Sequence, residues 1–194
     1  MAQSTRQGRL LVISGPSGAG KGTLIGKVLP RLANAVLSKS ATTRPMRPDE
    51  QQGREYHFLT PDEFENRVRE GDFIEHVKYG SNRYGTLKSE VTGNLDAGRD
   101  VVLEIELEGA RRVRRLIPGA VLIFIAPPDF AELERRLTAR NTETPAVIAA
   151  RLGRAREELA AQKEFDYIIV NDNVGKAADE LERAIRSALR EEQT

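Results

Sequence analysis

The 194-residue chain contains no cysteine and no tryptophan, and aromatic residues make up only 5% of it. Without cysteine it has no disulfide, no thiolate metal site and no cysteine nucleophile, which fits a reducing compartment. Its longest apolar run, Ala120 to Ala126, is far shorter than a bilayer-crossing segment. The polar start of the sequence lacks the apolar segment of a secretion signal. We therefore expect a cytoplasmic protein with no membrane as a partner.

Net charge is also nearly absent, because 30 Lys and Arg residues are balanced by 29 Asp and Glu residues. The formal net charge of +1 gives no long-range attraction to a nucleic-acid polymer, so any cationic site must be local. No repeat, low-complexity stretch or linker divides the chain. Its length allows one good core with a small inserted subdomain, so we expect a single domain, 1–194.

What the sequence does contain is a glycine-rich loop directly after the apolar run Leu10-Leu11-Val12-Ile13. The loop reads Gly15-Pro16-Ser17-Gly18-Ala19-Gly20-Lys21-Gly22-Thr23. Its glycines let the backbone turn and present successive amide N–H groups to an anion, and Lys21 adds a positive charge. A helix that begins near Lys21 would point its unpaired N-terminal amides at the same anion. The spacing is that of a nucleotide phosphate-binding loop, except that Gly22 stands where the pattern has Ser or Thr.

Short apolar runs alternate with stretches of helical periodicity, which predicts an α/β fold with a parallel sheet flanked by helices. The predicted strands are 10–14, 101–107, 121–125 and 167–170, and the predicted helices are 21–32, 130–140, 146–162 and 177–189. Between Val36 and Gly98 the sequence predicts a small mixed insertion, with one helix opened by the capping box Thr60-Pro61-Asp62-Glu63. The arginine-rich segment from Arg135 to Arg156 fits a mobile cover over phosphates.

A second group of residues could bind another phosphate and a base. Arg44 and Arg47, stiffened by prolines, can present planar forks to one phosphate, and the hydroxyl of Tyr56 can add a donor. Glu75 lies in the apolar sequence Phe73-Ile74-Glu75-His76, where a carboxylate needs donors. Guanine offers N1–H and a 2-amino group side by side, which adenine does not. Taken alone, the arginines also fit a solvated loop, and a surface strand position is the simpler interpretation of Glu75.

Charged residues at two further places could serve a bound nucleotide. Glu104 and Glu106 alternate with apolar residues in the predicted strand 101–107 and would share one of its faces. Carboxylates near the carboxyl end of a strand can hold Mg²⁺ through water or accept from a sugar or base, although the polar face of an edge strand is the alternative. Three arginines could close over a transferring phosphoryl group, while singly each also fits a solvated helix face: Arg136, Arg140 and Arg151.

Taken in order, these motifs resemble those of the guanylate kinase family. The resemblance runs from about Leu10 to Leu189 and includes the segments 40–47, 53–58, 73–85, 103–110, 123–128 and 169–173. Members of that family transfer the γ-phosphoryl group of ATP to GMP with Mg²⁺, giving ADP and GDP in purine nucleotide metabolism. The resemblance implies a P-loop core of about 9–35, 99–135 and 157–192, a GMP-binding insertion of about 36–98 and a mobile lid of about 136–156. It leaves dGMP and protein partners open.

The resemblance also implies roles for individual residues. ATP would be bound by the loop residues Gly15, Pro16, Ser17, Gly18, Ala19, Gly20, Lys21, Gly22 and Thr23, and by Asn171 and Asp172 beside the adenine. GMP would be bound through its phosphate by Arg44, Arg47, Tyr56 and Tyr84, through its guanine by Ser40, Glu75 and Thr86, and also by Glu104. The transferring phosphoryl group would be met by Lys21, Arg44, Arg136, Arg140 and Arg151. Mg²⁺ would be held through water by Glu106 and Thr23.

Three positions depart from the family pattern. Gly22 replaces the usual Ser or Thr, so a direct hydroxyl ligand to Mg²⁺ is lost, and Gly-Lys-Gly-Thr is similar to the order in adenylate kinases. Glu108 stands where Gln is common and Asn141 where Gly is common. Another nucleoside monophosphate kinase is therefore one alternative, and a non-catalytic scaffold that holds a phosphorylated peptide is another. A nucleotide-controlled switch is a third, but a pure switch has no use for a second phosphate site.

Overall fold

The structure, a computed structural model, describes residues 6–139 and 145–190. These residues divide into two compact units. One unit holds residues 6–10, 34–103 and 108–120, and the other holds residues 11–33, 104–107, 121–139 and 145–190. The glycine-rich loop belongs to the second unit, and the residues from Ser40 to Thr86 that the sequence singles out belong to the first.

The strands of the described residues are β1 (Leu10–Ser14), β2 (Ala35–Leu37), β3 (Ser40–Thr42), β4 (His57–Phe58), β5 (Phe73–Tyr79), β6 (Asn82–Leu87), β7 (Asp100–Glu104), β8 (Val121–Ala126) and β9 (Tyr167–Val170). One sheet has the order β2-β7-β1-β8-β9, and a second has the order β4-β3-β6-β5. In the first sheet, β2 pairs with β7, β1 with β8 and β8 with β9, all in parallel. The predicted parallel sheet is confirmed.

The α-helices of the described residues are α1 (Lys21–Val28), α2 (Pro61–Glu70), α3 (Lys88–Asp96), α4 (Leu107–Leu116), α5 (Phe130–Thr138), α6 (Pro145–Ala160) and α7 (Val174–Arg190). Helix α1 is shorter than predicted, because Pro30 cannot continue an α-helix and lies in a short 3-10 turn, Leu29–Arg31. The sequence did not predict α3, whose Thr92, Gly93 and Asn94 are weak helix formers. None of the helices described has both the length and the apolar character that spanning a membrane requires.

In the unit with the glycine-rich loop, β1 and β8 are buried at every residue. They lie side by side, with Leu11 opposite Val121, and such unbroken apolar strands are typical of a sheet that is covered on both faces. Helix α7 packs against α1 and β9 through a buried stripe that includes Leu181 and Ile185. This packing anchors α1, which begins within the glycine-rich loop.

In the other unit, α2 packs its apolar side against the second sheet. Phe64 of α2 is fully buried and stacks on Phe73 of β5, with ring centroids 4.5 Å apart. The predicted capping box is confirmed: Thr60 Oγ1 accepts from the Glu63 N–H at 3.2 Å, and the Glu63 carboxylate accepts from the Thr60 N–H at 2.7 Å. The cap therefore fixes where α2 begins relative to its small core of Phe64, Phe73, Ala41 and Leu87.

Substitution of Thr60 tests the cap. We expect Thr60→Ala to lower the free energy of unfolding by about 1 kcal/mol, because one N–H of the first turn loses its acceptor. Thr92→Ala is the matched control, since Thr92 is exposed in α3 and its hydroxyl donates to the Lys88 carbonyl instead. Urea unfolding of both variants measures the difference, and equal losses would contradict the role of the cap.

The strand predicted for 101–107 is wrong in its second half. Strand β7 ends at Glu104 and helix α4 begins at Leu107, so Glu104 and Glu106 do not share a strand face. The physical reason is the burial of Leu107, Ala110 and Val113 at a spacing of three, which is a helical repeat. The alternating letters from Leu103 to Leu107 concealed this change of period.

Candidate active site

The glycine-rich loop turns tightly at Gly15 and Gly20. Gly15 has φ +142°, and a Cβ there would lie 2.2 Å from the carbonyl oxygen of Ile125. Gly20 has φ +90°, and a Cβ there would lie 2.4 Å from Nδ2 of Asn171. Both positions therefore require glycine, on conformational and on steric grounds. The loop consequently lies in close contact with the carboxyl ends of β8 and β9.

The N-terminus of α1 and the side chain of Lys21 form a cationic site at the loop. Among the described residues no side chain caps the N-terminal amides of α1, and its first turn contains no acidic residue. Lys21 Nζ donates to the carbonyl oxygens of Gly15 at 2.5 Å and Pro16 at 3.3 Å. A phosphate at the loop would meet both the helix N–H groups and the ammonium. The anion site predicted from the sequence therefore has the required local geometry.

Asn171 supports this loop from the end of β9. Its side chain is 2% exposed, and Nδ2 donates to the carbonyl oxygen of Ala19 at 2.7 Å. Its backbone carbonyl accepts from Nη2 of Arg136 at 3.0 Å, and Arg136 also pairs with Glu132 at 2.7 Å. Sequence reasoning missed this support of the loop. The role of Asn171 and of the exposed Asp172 beside adenine stays a prediction.

Helices α5 and α6 bring further groups to the loop. Nη2 of Arg151, on α6, donates to Oγ of Ser17. A Cβ on Gly18 would lie 3.2 Å from side-chain atoms of Leu133 and Leu137, which belong to the cluster between α5 and α6. The structure thus places two of the three predicted arginines, Arg136 and Arg151, in the unit that holds the loop. Arg140 and Asn141 lie outside the described residues.

Three carboxylates lie near the same loop. An oxygen of Glu104 would be 3.6 Å from a Cβ on Gly22 in the first turn of α1. Desolvation raises the pKa of Glu104, Lys21 opposes this effect and Glu106 adds to it, but the side chain reaches solvent, so the energetic consequence is small. Burial and a hydrogen bond with Glu106 raise the pKa of the buried Glu158 to about 8. Excess negative charge of this kind favours a nearby cation.

These carboxylates fit Mg²⁺ bound together with nucleotide phosphates. Within residues 6–139 and 145–190, no group of three or more His, Cys, Asp and Glu residues could hold a metal alone. Mg²⁺ at phosphate sites commonly keeps several waters and takes only one or two carboxylates. Glu104 suits such a site, whereas the Glu106 carboxylate is already engaged with Glu158. Thr23, also predicted there, is exposed in the first turn of α1.

In the other unit, three strands bring Ser40, Thr86 and Glu75 into one row. Ser40 of β3 and Glu75 of β5 each pair with Thr86 of β6. Thr86 Oγ1 donates to Glu75 Oε1 at 2.7 Å, and Glu75 is only 2% exposed. The surface interpretation of Glu75 is therefore wrong. The three residues implied to read guanine lie side by side, although the sequence separates them widely.

A β-bulge gives Glu75 its position in the row. Phe73 pairs with Leu87 and Glu75 pairs with Thr86, so Ile74 is an extra residue on β5. Burial raises the pKa of Glu75, opposed by the hydrogen bonds with Thr86 and by the charge of Arg112. A buried carboxylate is costly unless donors reach it. A ligand with two adjacent N–H groups would supply such donors.

In the same unit, Arg44 lies beside two aromatic rings. Its guanidinium carbon lies 5.5 Å from the ring centroids of Tyr56 and of Phe58. The Tyr56 and Tyr84 rings contact each other edge to face, with centroids 6.2 Å apart. In the sheet, Tyr84 pairs with Thr42, two residues along β6 from the pair of Thr86 with Ser40. The structure therefore brings together Arg44, Tyr56 and Tyr84, as a phosphate site requires, while the Arg47 side chain is exposed.

Sequence reasoning missed Glu50, which binds both arginines of this phosphate site. Its carboxylate accepts from Nη2 of Arg44 at 2.7 Å and from the backbone N–H of Arg47 at 2.8 Å. The sequence Pro48-Asp49-Glu50 is typical of a solvated acidic loop. The one available signal was the position of an acidic residue within a short, proline-bounded basic loop.

Comparison with known proteins identifies the family of the chain. The family model described as guanylate kinase matches residues 7–188. The chain is 50% identical over 182 residues to a guanylate kinase of Prochlorococcus marinus, and this alignment covers 94% of this chain and 96% of that protein. It is 52% identical over 172 residues to a guanylate kinase of Frankia casuarinae, and this alignment covers 89% of this chain and 94% of that protein. The crystal structure of guanylate kinase from Anaplasma phagocytophilum matches with a TM-score of 0.77 at 32% identity, covering 94% of this chain and 87% of that chain. The chain therefore belongs to the guanylate kinase family.

Proposed function

We propose that the loop Gly15–Thr23 binds the phosphates of ATP and that the row Ser40, Thr86 and Glu75, with Arg44, Tyr56 and Tyr84, binds GMP. The enzyme transfers the γ-phosphoryl group of ATP to GMP and gives ADP and GDP. The observation that carries the assignment of the acceptor site is the buried Glu75 carboxylate held by Thr86. A second nucleotide with paired N–H donors satisfies this carboxylate, and an adenine does not.

On the donor side, the chain supplies position and positive charge. Lys21 would exchange the carbonyl oxygens of Gly15 and Pro16 for phosphate oxygens, and the N-terminal amides of α1 would bind the same group. Arg136 and Arg151 would neutralise charge that develops on the transferring group, which needs no covalent intermediate. Asn171 would keep the loop in shape through Ala19.

On the acceptor side, Arg44 and Arg47 would bind the GMP phosphate together with the hydroxyls of Tyr56 and Tyr84. Charge-assisted donors of this kind fix the direction of an attacking phosphate oxygen, which is the main task in phosphoryl transfer. Segments 36–98 and 136–156 would act as the GMP-binding insertion and the lid. Their closure would exclude water, which competes with GMP for the phosphoryl group.

Glu104 and, through water, Glu106 and Thr23 would hold Mg²⁺ on the donor side. A magnesium ion held there would supply positive charge against the phosphates of ATP. Since Gly22 has no hydroxyl, the first turn of α1 offers only Thr23 for such a water-mediated contact. The cluster of negative charge at Glu104, Glu106 and Glu158 supports this assignment.

A substrate panel tests the proposed sites and their base selectivity. GMP, dGMP, AMP, CMP and UMP are supplied separately with Mg²⁺ and ATP, and ADP formation is measured for each. We expect turnover with GMP and little with AMP, because adenine N1 is an acceptor and would face the Glu75 carboxylate. dGMP keeps the guanine that Glu75 reads, so its rate shows how much the ribose 2′-hydroxyl adds. A preference for AMP would overturn the assignment of Glu75.

The raised pKa of Glu75 gives a pH prediction with two opposite signs. GMP needs the ionised carboxylate, so the KM for GMP should rise as pH falls, beginning above the ordinary carboxyl pKa of 4.5. The free energy of unfolding has the opposite pH dependence and increases as pH falls. Because the pKa of Glu75 is higher in the folded chain than in the unfolded chain, the folded protein binds the proton more tightly. The contribution of protonated Glu75 to the free energy of unfolding is complete below 4.5 and is lost as pH rises through the folded pKa.

Glu75→Gln is the reference for both trends, since it mimics the protonated carboxyl at every pH. The measurements are the KM for GMP and the urea midpoint of the ligand-free protein, each as a function of pH. The wild type should lose stability relative to Glu75→Gln as pH rises. A stability difference that stays constant with pH would show that the Glu75 pKa is the same in the folded and unfolded chains.

A further inference from the structure

Glu50 joins both arginines that the proposed GMP site uses for the phosphate. Its Oε1 accepts from Nη2 of Arg44 at 2.7 Å, and its Oε2 accepts from the backbone N–H of Arg47 at 2.8 Å. The N–H of Glu50 donates back to the Arg47 carbonyl at 3.1 Å, which closes a turn. The Glu50 side chain is 10% exposed, so this carboxylate is held within the structure and does not sample solvent freely.

The Arg44 fork is fixed on several sides. Nη1 donates to the Pro45 carbonyl at 2.7 Å, Nη2 donates to Glu50, and the rings of Tyr56 and Phe58 lie beside the guanidinium. A guanidinium has five N–H donors, so these two bonds leave donors for a phosphate. The hydrogen bond between Arg44 and Glu50 raises the pKa of the arginine and lowers the pKa of the glutamate, so both side chains stay ionised at neutral pH.

We propose that Glu50 is a positioning residue, which holds Arg44 and the Arg47 backbone in the arrangement that receives the GMP phosphate. The inference rests on the proposed function of this site. Long arginine side chains lose considerable rotamer entropy when a ligand orders them, and a preformed carboxylate contact removes part of that cost before binding. Glu50 also offsets the mutual repulsion of two neighbouring cations when no phosphate is bound.

The same contacts allow an opposite role, in which the Glu50 carboxylate competes with the phosphate for Arg44. The geometry favours positioning, because Glu50 takes one N–H of Arg44 while its other oxygen binds the backbone, not the side chain, of Arg47. A competitor would have to be displaced from a turn that it helps to close. The two roles predict opposite changes in GMP affinity when Glu50 is removed.

The test compares Glu50→Ala with Glu55→Ala. Glu55 is a matched control in the same loop: it accepts from the Gln51 N–H at 2.8 Å and pairs with Arg54 at 2.5 Å, but Arg54 is not in the phosphate site. We expect Glu50→Ala to raise the KM for GMP about tenfold through the loss of charge-assisted bonds, with the rate at saturating GMP and the KM for ATP near wild type. Glu55→Ala should change none of these values.

Guanosine and a double mutant show whether the effect passes through the phosphate arginines. Guanosine has the base without the phosphate, so its inhibition constant should be the same in wild type and Glu50→Ala. In an Arg44→Lys background, removal of Glu50 should have a clearly smaller effect on the KM for GMP. Glu50→Gln keeps an acceptor for Arg44 but presents an amide to the Arg47 N–H, so we expect an intermediate KM, and it also replaces Glu50→Ala if that variant does not fold.

Tighter GMP binding in Glu50→Ala would overturn positioning in favour of competition. Equal weakening of guanosine and GMP would also overturn it, because that result means general damage to the loop. An unchanged KM for GMP would remove the inference while leaving the GMP site intact. Failure of the proposed function itself looks different, since the wild-type protein would then form no ADP in response to GMP.

Discussion

Replacement of Lys21 by alanine should lower kcat by about 10²- to 10³-fold, the size of effect seen when one preorganised charge stabiliser is removed from a transition state. In the structure, Lys21 Nζ lies at the loop carbonyls of Gly15 and Pro16, beside the N-terminus of α1. No other lysine is present in the loop sequence 15–23. The KM for GMP should change little, because Glu75 and Arg44 set it. Steady-state kinetics with ATP and GMP varied in turn measures both parameters.

Lys27→Ala is the control for this experiment. Lys27 is an exposed lysine in the last turn of the same helix, so its removal takes the same charge from α1 at the end away from the loop. Its kinetics should match the wild type. Near-normal turnover of Lys21→Ala would rule out the proposed role of Lys21. Thermal unfolding of both variants shows whether a loss of rate comes from a loss of folded protein.

Glu75→Gln should lower kcat/KM for GMP by about 10²- to 10³-fold, because a buried site that is built to accept two N–H groups would then present a donor to one of them. The amide can still accept from Thr86, so the sheet around it should stay folded. We expect most of the loss in KM, since the phosphate of GMP and the donor loop are not changed. The same variant should reduce the selectivity for GMP over AMP, which the substrate panel measures.

Glu70→Gln serves as the matched control, since Glu70 is exposed in α2 of the same unit. It removes the same charge without a change in the row of Ser40, Thr86 and Glu75. Wild-type kinetics are expected. An unchanged GMP affinity in Glu75→Gln would mean that guanine is recognised by other groups, and the row would then have only a structural role.

The donor loop was predictable because its chemistry is local. The strand, the glycines and Lys21 follow one another in the sequence, and each has a direct physical reason to occupy its place. The contact of Asn171 with Ala19 was not predictable in the same way, because the two residues lie far apart in the chain and meet only when β9 pairs with β8. The strand predicted to Leu107 failed because a short helix began where the alternation seemed to continue.

The acceptor site shows a second limit of sequence reasoning. The chemistry of Glu75 suggested a base site and the family resemblance added Ser40 and Thr86, but the alignment of the three depends on strand register, which no local pattern specifies. Burial of Glu75 likewise follows from the packed sheet and not from its neighbours in the chain. The sequence did not single out Glu50, because an acidic side chain in a polar loop is commonly solvated. Its contact with Arg44 depends on the folded conformation of the loop.

The bulge at Ile74 follows from a conflict between core packing and the hairpin turn. In the core, Phe73 pairs with Leu87. If regular antiparallel pairing continued from that pair, Tyr79 would lie opposite Ser81 and the turn would contain only Gly80. The observed pairs are Tyr79 with Asn82 and Glu75 with Thr86, which leaves a turn of two residues, Gly80 and Ser81. The extra residue on β5 reconciles the two registers, since a two-residue turn is the common way to close a hairpin.

The two-residue turn therefore sets the register in which Glu75 pairs with Thr86. The pairing of Phe73 with Leu87 in the aromatic core belongs to a register that is shifted by one residue. During evolution, an insertion of one residue at Gly80 or Ser81 would shift Glu75 relative to Thr86 and leave Phe73 packed against Phe64. Such a descendant would keep its fold and lose its preference for one base. A change in the length of this turn would therefore alter base recognition without a change in the aromatic core.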